Sequence, residues 1–259
     1  MVDRVRHASP VKTKSPQNAV ARAYVGCSGW AYASWKPDFY PAKLPSKKLL
    51  EYYATQLNSV EVNYTFRSLP TRAMVENWLA QTGHDFRFSF KAPQRITHIR
   101  RLRECGAELK AFAAAIEPVA AARRLGLILF QLPPNFRADA ERLAAFLKEA
   151  RGLRLRLAFE FRHESWFDPG IYGLLERHKA ALCVAESDEL STPDVATAPF
   201  ACYRLRKSEY SAAALKAIRE RLAKSARSGD VFAYFKHEEE PTGAVRAVQV
   251  LSALTRRSR

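Results

Sequence analysis

One local pattern recurs along this chain: a short apolar run that ends in polar or charged residues. It appears in VEVNYTF (Val60 to Phe66), FRFSFKAP (Phe86 to Pro93), LILFQLPP (Leu127 to Pro134), LRLAFEFRH (Leu155 to His163), FACYRLR (Phe200 to Arg206) and VFAYFKHE (Val231 to Glu238). Strands that are apolar along the body and polar at the carboxyl end belong to parallel sheets whose sites lie at the strand ends. The repetition therefore constrains both the architecture and the place where chemistry is to be sought. It does not name a reaction.

Strand-like runs begin near residues 23, 59, 86, 125, 155, 181, 200 and 231. Helical spacing of apolar residues predicts helices over Ser46–Gln56, Thr71–Gln81, Ala107–Arg123, Asp139–Ala150, Pro169–His178, Ser211–Ala226 and Gly243–Leu254. Thr71 is placed to cap the second of these. Ser187 to Pro199 is too short and too rich in Pro and Thr for a full helix, and reads as a long loop. Strand and helix alternating eight times predict an α/β fold, a TIM-type (β/α)8 barrel lacking a full helix after the sixth strand. A doubly wound open sheet is the rival, but no Gly-x-Gly-x-x-Gly or Walker sequence follows any strand. The expected organisation is a disordered basic arm over residues 1–21, one barrel domain over 22–255 and a basic tail over 256–259.

Charge narrows the ligand. Of the formal +16, the first 22 residues hold +4 and the last four +3, leaving +9 on the body. A basic body favours anionic partners, either phosphorylated small molecules or nucleic acid. The plainer account is an arginine-rich surface with no such partner. Cys27, Cys105, Cys183 and Cys202 form no Cys-x-x-Cys pair, which suits buried free thiols in a reducing cytosol and disfavours a zinc or iron–sulfur site. No window approaches the roughly 18 apolar residues of a membrane span, and no secretory h-region is present, so a cytoplasmic protein is expected. Oligomeric state is not readable from these features.

The stretches GCSGWAYASWKPDFYP (Gly26 to Pro41), SVEVNYTF (Ser59 to Phe66), FRFSFKAPQRITH (Phe86 to His98), LGLILFQLPPNF (Leu125 to Phe136) and FEFRHESWF (Phe159 to Phe167) occur in this order. Together they make the chain resemble the domain-of-unknown-function 72, or YecE-like, family from about Ala23 to Leu254. The resemblance implies a TIM-type barrel and no established reaction. Two endings depart from the family's usual pattern. YRLRKSEY (Tyr203 to Tyr210) keeps Arg204 but lacks the customary His-Gly, and FKHEEEPTGAVRA (Phe235 to Ala247) puts Lys236, His237 and Glu238 where two amides and an aspartate are usual.

Alternate strand residues in a barrel point inward. By that parity Glu61 shares a face with Asn63, Ser89 with Lys91, Leu129 with Gln131, Glu160 with Arg162, and Cys202 with Arg204. If those faces line the barrel, its mouth gathers carboxylates, cations and amides that must pair or meet a ligand. Such crowding also shifts pKa values, as acid–base chemistry requires. Glu160 is the first candidate for a catalytic carboxylate and Glu61 the second; the competing role of each is a structural ion pair. Lys91, Arg162 and Arg204 are candidate grips for phosphate or carboxylate oxygens, or else counter-ions for the two glutamates. Asn63, Gln131, Lys236 and Ser28, the last flanked by Gly26 and Gly29, complete the substrate-binding set. His98 and His163 are either proton shuttles or hydrogen-bonded loop residues, and His237 has the same two readings. Trp30 and Trp166 either stack on a sugar or base or plug the mouth; Trp35 suits the plug better. GCSGW lacks the spacing of a hydrolase elbow, so a serine nucleophile is not expected. No cofactor is expected. A divalent metal held by these histidines with Glu61, Glu160 and Glu186 finds no support in His-x-His or His-x-x-x-His spacing. The expected function is an enzyme acting by acid–base chemistry on an anionic, phosphorylated sugar-like or nucleotide-like substrate, as a hydrolase or isomerase. The alternatives are a non-catalytic nucleic-acid-binding protein, a metal-dependent hydrolase or nuclease, and a scaffold barrel.

Overall fold

The structure, a computed structural model, describes residues 22–153, 155–236 and 240–256. The basic arm over residues 1–21, His237 and Glu238, and the last three residues of the tail lie outside that range. Eight parallel strands close into a barrel in chain order. They are β1 (Ala23–Cys27), β2 (Ser59–Val62), β3 (Arg87–Lys91), β4 (Leu125–Gln131), β5 (Leu157–Glu160), β6 (Ala181–Glu186), β7 (Phe200–Leu205) and β8 (Asp230–Phe235). The helices are α1 (Leu49–Gln56), α2 (Arg72–Ala80), α3 (Gly106–Ala121), α4 (Ala140–Ala150), α5 (Pro169–Arg177), α6 (Ala212–Ser225) and α7 (Thr242–Arg256). One α-helix follows each strand except β6, whose connection to β7 is the predicted loop. Among the described residues no helix is long and apolar enough to cross a membrane.

Side-chain oxygens start four of these helices. Thr71, Asp139, Asp168 and Ser211 accept from the backbone N–H of Met74, Arg142, Gly170 and Ala214. Each cap contributes about 1 kcal/mol. The predicted first turn of α1 is a tighter 3-10 turn, Ser46–Lys48. The apolar helix faces pack on the outward strand residues, as where Phe146 of α4 meets Phe130 and Phe159 edge-on.

The barrel interior is layered. Toward the amino ends of the strands it is apolar and aromatic, with Tyr24 stacked on Phe232 at 5.0 Å and Phe200 edge-on to Phe232. In the middle, Tyr234 Oη lies 2.8 Å from Ser59 Oγ and 2.6 Å from Ser89 Oγ. Cys183 and Cys202, register partners on β6 and β7, bring their Sγ atoms to 3.1 Å. Above this layer, at the carboxyl ends of the strands, buried charged residues enter the interior: Glu61, Glu160 and Arg204.

Gly26 is required where β1 meets β2. A Cβ there would sit 1.8 Å from Ser59 O and 2.8 Å from Tyr53 Oη. The missing side chain lets the Tyr53 hydroxyl enter from α1, donate to Ser59 O at 3.0 Å and accept from Cys27 N at 2.7 Å. Burial and the neighbouring Cys27 push that phenol well above its ordinary pKa, so it stays a donor.

One predicted strand is shorter than expected. LRLAFEFRH forms a strand only over Leu157–Glu160. Phe161 stacks on the buried Trp166 at 4.5 Å, and His163 Nδ1 accepts from Ser165 N to open a 3-10 turn. The chain therefore leaves the sheet at Glu160.

Candidate functional site

The polar strand ends meet as the parity argument requires. Arg204, 1% exposed, projects from β7 into the upper barrel between two carboxylates. Its Nη1 donates to Glu160 Oε2 at 2.5 Å, and its Nη2 to Glu61 Oε1 at 2.6 Å. Ser28 Oγ donates to Glu61 Oε1 at 2.8 Å and accepts from Arg204 Nη2 at 3.3 Å. Gln131 Nε2 donates to Glu160 Oε1 at 2.7 Å. Five strand ends thus contribute to one buried network.

Both oxygens of Glu160 are engaged. Burial works to raise its pKa, but Arg204 and Arg206, with the hydrogen bonds from Arg204 and Gln131, hold the carboxyl below the ordinary range. Burial likewise opposes the charge of Arg204, and Glu160 and Glu61 more than compensate. Glu160 is therefore a fixed anion that positions Arg204. Glu61 differs: among the described residues its Oε2 is buried without a hydrogen-bond partner, as are Arg204 Nε and Asn63 Oδ1. Buried polar atoms are nearly always partnered in folded proteins, so these orphans mark where a ligand or water belongs.

Beside the network lies a cleft of about 480 Å³, lined by Asn63, Phe66, Arg67, Lys91, Arg204 and Arg206 among others. Local structure builds it. Thr65, in the 3-10 turn Tyr64–Phe66 that follows β2, donates through Oγ1 to Lys91 O at 2.6 Å. That bond seats Phe66 against the end of β3, where Lys91 Nζ stands 4.2 Å from the ring centroid. Lys91 makes no ion pair with any described residue. Burial, and then Arg204, lower its pKa to about 8. Arg206 also lacks an ion pair among the described residues, and burial and Arg204 oppose its charge. His98 packs edge-on against the same Phe66 ring at 5.0 Å, with Nδ1 2.8 Å from Thr97 Oγ1. Burial, Lys91, Arg162 and Arg101 all lower its pKa, so it is neutral at pH 7.

Several candidates lie elsewhere. Arg162, two residues beyond the end of β5, is exposed on the rim. His163 caps the turn Glu164–Trp166. Trp166 is fully buried and donates through Nε1 to Phe136 O at 2.6 Å, so it cannot stack on a ligand. Trp30 packs edge-on against Trp78 of α2 and lines a separate cleft with α1 and α2. Trp35 is buried in the outer core among Tyr32, Phe39 and Tyr40, a staple of the first loop. Lys236 sits at the mouth end of β8, where its N–H donates to Leu205 O at 2.9 Å. Glu186 pairs with Arg221 of α6. Among the described residues no group of three His, Cys, Asp or Glu side chains is placed to hold a metal. Arg206, Arg67 and Phe66 were not anticipated. Arg206 was within reach of the parity rule, two residues beyond Arg204; Phe66 was not, because a 3-10 turn places it.

A closed eight-stranded parallel barrel with a polar network at the carboxyl ends of its strands defines a TIM-type barrel protein. Residues 24–259 match the family described as "Protein of unknown function DUF72", and the chain belongs to that family. It is 31% identical over 156 residues to the UPF0759 protein YunF of Bacillus subtilis, a match covering 58% of this chain and 54% of that protein. It is 34% identical over 148 residues to the UPF0759 protein YecE of Escherichia coli K12, covering 57% and 51%. The matched segments thus span about half the length of these curated relatives. A crystal structure of a DUF72 family protein from Thermotoga maritima superposes with a TM-score of 0.81 at 26% identity, covering 90% of this chain and 99% of that one. A second, from Enterococcus faecalis, gives 0.73 at 18% identity, covering 91% and 98%, and supports the fold.

Proposed function

We propose that the barrel mouth is the active site of an enzyme acting by acid–base chemistry on a small anionic substrate. One observation carries this reading: Arg67, Lys91, Arg204 and Arg206 converge on one cleft, and of these only Arg204 has carboxylate partners among the described residues. Like charges gathered on a half-buried wall repel one another, and an anion of phosphate or carboxylate type relieves the repulsion. Arg206, Arg67 and Lys91 supply the positive field. Asn63 and Arg204 line the same cleft, and among the described residues Asn63 Oδ1 and Arg204 Nε have no hydrogen-bond partner. His98, kept neutral beside Lys91, is the group suited to move a proton near pH 7. Glu160 and Glu61 act by holding Arg204, the ion-pair alternative of the two roles the sequence allows each of them. A cytoplasmic location fits such a substrate.

A thermal-shift panel tests the proposal. Inorganic phosphate, phosphorylated sugars, nucleotides and a short oligonucleotide are compared on the wild type and on Lys91→Ala and Arg206→Gln. A small anion at a hundred times its Kd should stabilise the wild type by about 2.7 kcal/mol and both variants by much less. Equal stabilisation of all three proteins defeats the assignment. Stabilisation by the oligonucleotide alone, falling steeply with salt, favours the nucleic-acid reading instead.

A further inference from the structure

A site that only grips an anion needs fixed positive charge, and Arg67 and Arg206 already supply it. Lys91 adds a different chemistry. Its amine stands over the Phe66 ring at 4.2 Å, opens onto the cleft and has no carboxylate within ion-pair distance among the described residues. The charges acting on it come from three strands. Arg204 on β7 and Arg206 just beyond it oppose its protonation, whereas Glu61 on β2 and Glu160 on β5 favour it. Both carboxylates are already engaged by Arg204. A lysine kept from its counter-ions and crowded by guanidinium groups is in the setting that makes an amine nucleophilic. His98 packs edge-on against the same ring.

We infer that Lys91 forms an imine with the carbonyl group of an anionic aldehyde or ketone, the anionic group being held by Arg67 and Arg206. This rests on the anion-site reading above and names its substrate class. In the first step the Nζ lone pair bonds to the carbonyl carbon. The C=O π pair moves to oxygen, which takes a proton, and nitrogen gives one up to His98 or water. In the second the carbinolamine hydroxyl leaves as water on taking a proton, and the nitrogen lone pair forms C=N. The balance is amine, carbonyl and one proton in, protonated imine and water out, with no oxidant or reductant. Burial and Arg204 lower the Lys91 ammonium to about 8. At pH 7 its neutral fraction is then roughly two hundredfold that of an ordinary lysine.

The full chain is incubated at pH 7 with glyoxylate, glycolaldehyde phosphate or neutral glycolaldehyde, each with borohydride, which adds hydride to the imine carbon and fixes the adduct. Peptide mapping then locates the modified lysines. The expected result is adduct on Lys91 at least about tenfold faster than on any other lysine. The two anionic probes should be faster than the neutral one, and inorganic phosphate should suppress their reaction. Lys91→Arg, which keeps the charge, should lose this adduct. The wild-type map identifies the lysine even if that variant fails to fold. The more reactive of the two anionic probes separates a carboxylate substrate from a phosphorylated one.

Adduct spread evenly over the lysines overturns the imine. If phosphate still stabilises the protein in the thermal-shift panel, the anion site survives that failure. Adduct confined to Lys91 but equally fast with neutral glycolaldehyde, and indifferent to phosphate, overturns the anionic part and the anion-site reading while leaving the imine.

Discussion

The two sides of the barrel mouth use the same residue types to opposite ends. On the β4–β5 side, Glu160 gives one oxygen to Gln131 and the other to Arg204. On the β2–β3 side, among the described residues, Glu61 leaves Oε2 unpartnered, Asn63 leaves Oδ1 unpartnered, and Lys91 lies over an aromatic ring without an ion-pair partner. The first side is closed and its charges hold each other; the second is open toward a cleft. A polar residue at a strand end therefore marks the mouth without revealing which task it has there. The number of unsatisfied atoms separates the tasks.

Removing the group shared by both sides should have the largest effect. Arg204→Met leaves two buried carboxylates without their cation, and breaking such a pairing costs about 3–5 kcal/mol. Urea unfolding near pH 7 should show that loss, and lower pH should recover part of it as the carboxylates take up protons. A loss under about 1 kcal/mol would mean that water already enters the network.

Next comes Glu160→Gln, which tests the closed side alone. The amide keeps the shape but removes one charge, and Arg204 retains Glu61. A loss of about 1–3 kcal/mol is expected, with anion binding reduced less than in Arg206→Gln. If Glu160→Gln instead keeps full stability and abolishes turnover, Glu160 is catalytic and the division between the two sides fails.

Much of the mouth, though not its division, was legible in the sequence, and the reason is geometric. Strand parity has a fixed period of two, so Glu61, Gln131, Glu160 and Arg204 could be assigned to one interior before any contact was known. What parity lacks is the point where a strand stops. Arg162 obeys the same alternation as Glu160 but lies past the end of β5, where the chain leaves the sheet for the turn that His163 caps, and so reaches the rim. The aromatic residues were harder still. Trp166 and Trp30 follow strands in sequence, yet Phe161 and Trp78 draw them into packing away from the cleft. Unsatisfied atoms such as Glu61 Oε2 have no signature in sequence, because only the full set of neighbours shows which bonds are missing.

Lys91→Met probes the open side and should act in the opposite sense. The folded state lowers the Lys91 pKa to about 8, below the roughly 10.4 of an unfolded chain. Below pH 8 the folded protein carries an unfavourable charge. Between about 8 and 10.4 the unfolded state binds more protons, so the wild type gains stability as pH rises. Lys91→Met should therefore be more stable than wild type near pH 7, by about 1–2 kcal/mol once solvent screening is allowed for. That advantage should vanish as pH rises through the same window. Thermal melts from pH 6 to 10 follow it, and a variant less stable than wild type at pH 7 would show that Lys91 has a partner after all.

The smallest effect belongs to Arg162. It is exposed, and among the described residues it makes no hydrogen bond or ion pair through its side chain. Its charge is nonetheless one of those acting on His98 and Arg206. Arg162→Ala should change stability by less than about 0.5 kcal/mol. It should weaken anion binding by about twofold at low salt and leave it unchanged at high salt, because solvent screens a rim charge within about 10 Å at 0.1 M. Arg206→Gln should remain impaired at both salt concentrations, since a half-buried guanidinium on the cleft wall is screened far less. Titrations of both variants at two ionic strengths measure this contrast. A salt-independent loss in Arg162→Ala would extend the open side of the mouth across β5 and place Arg162 in contact with the bound anion.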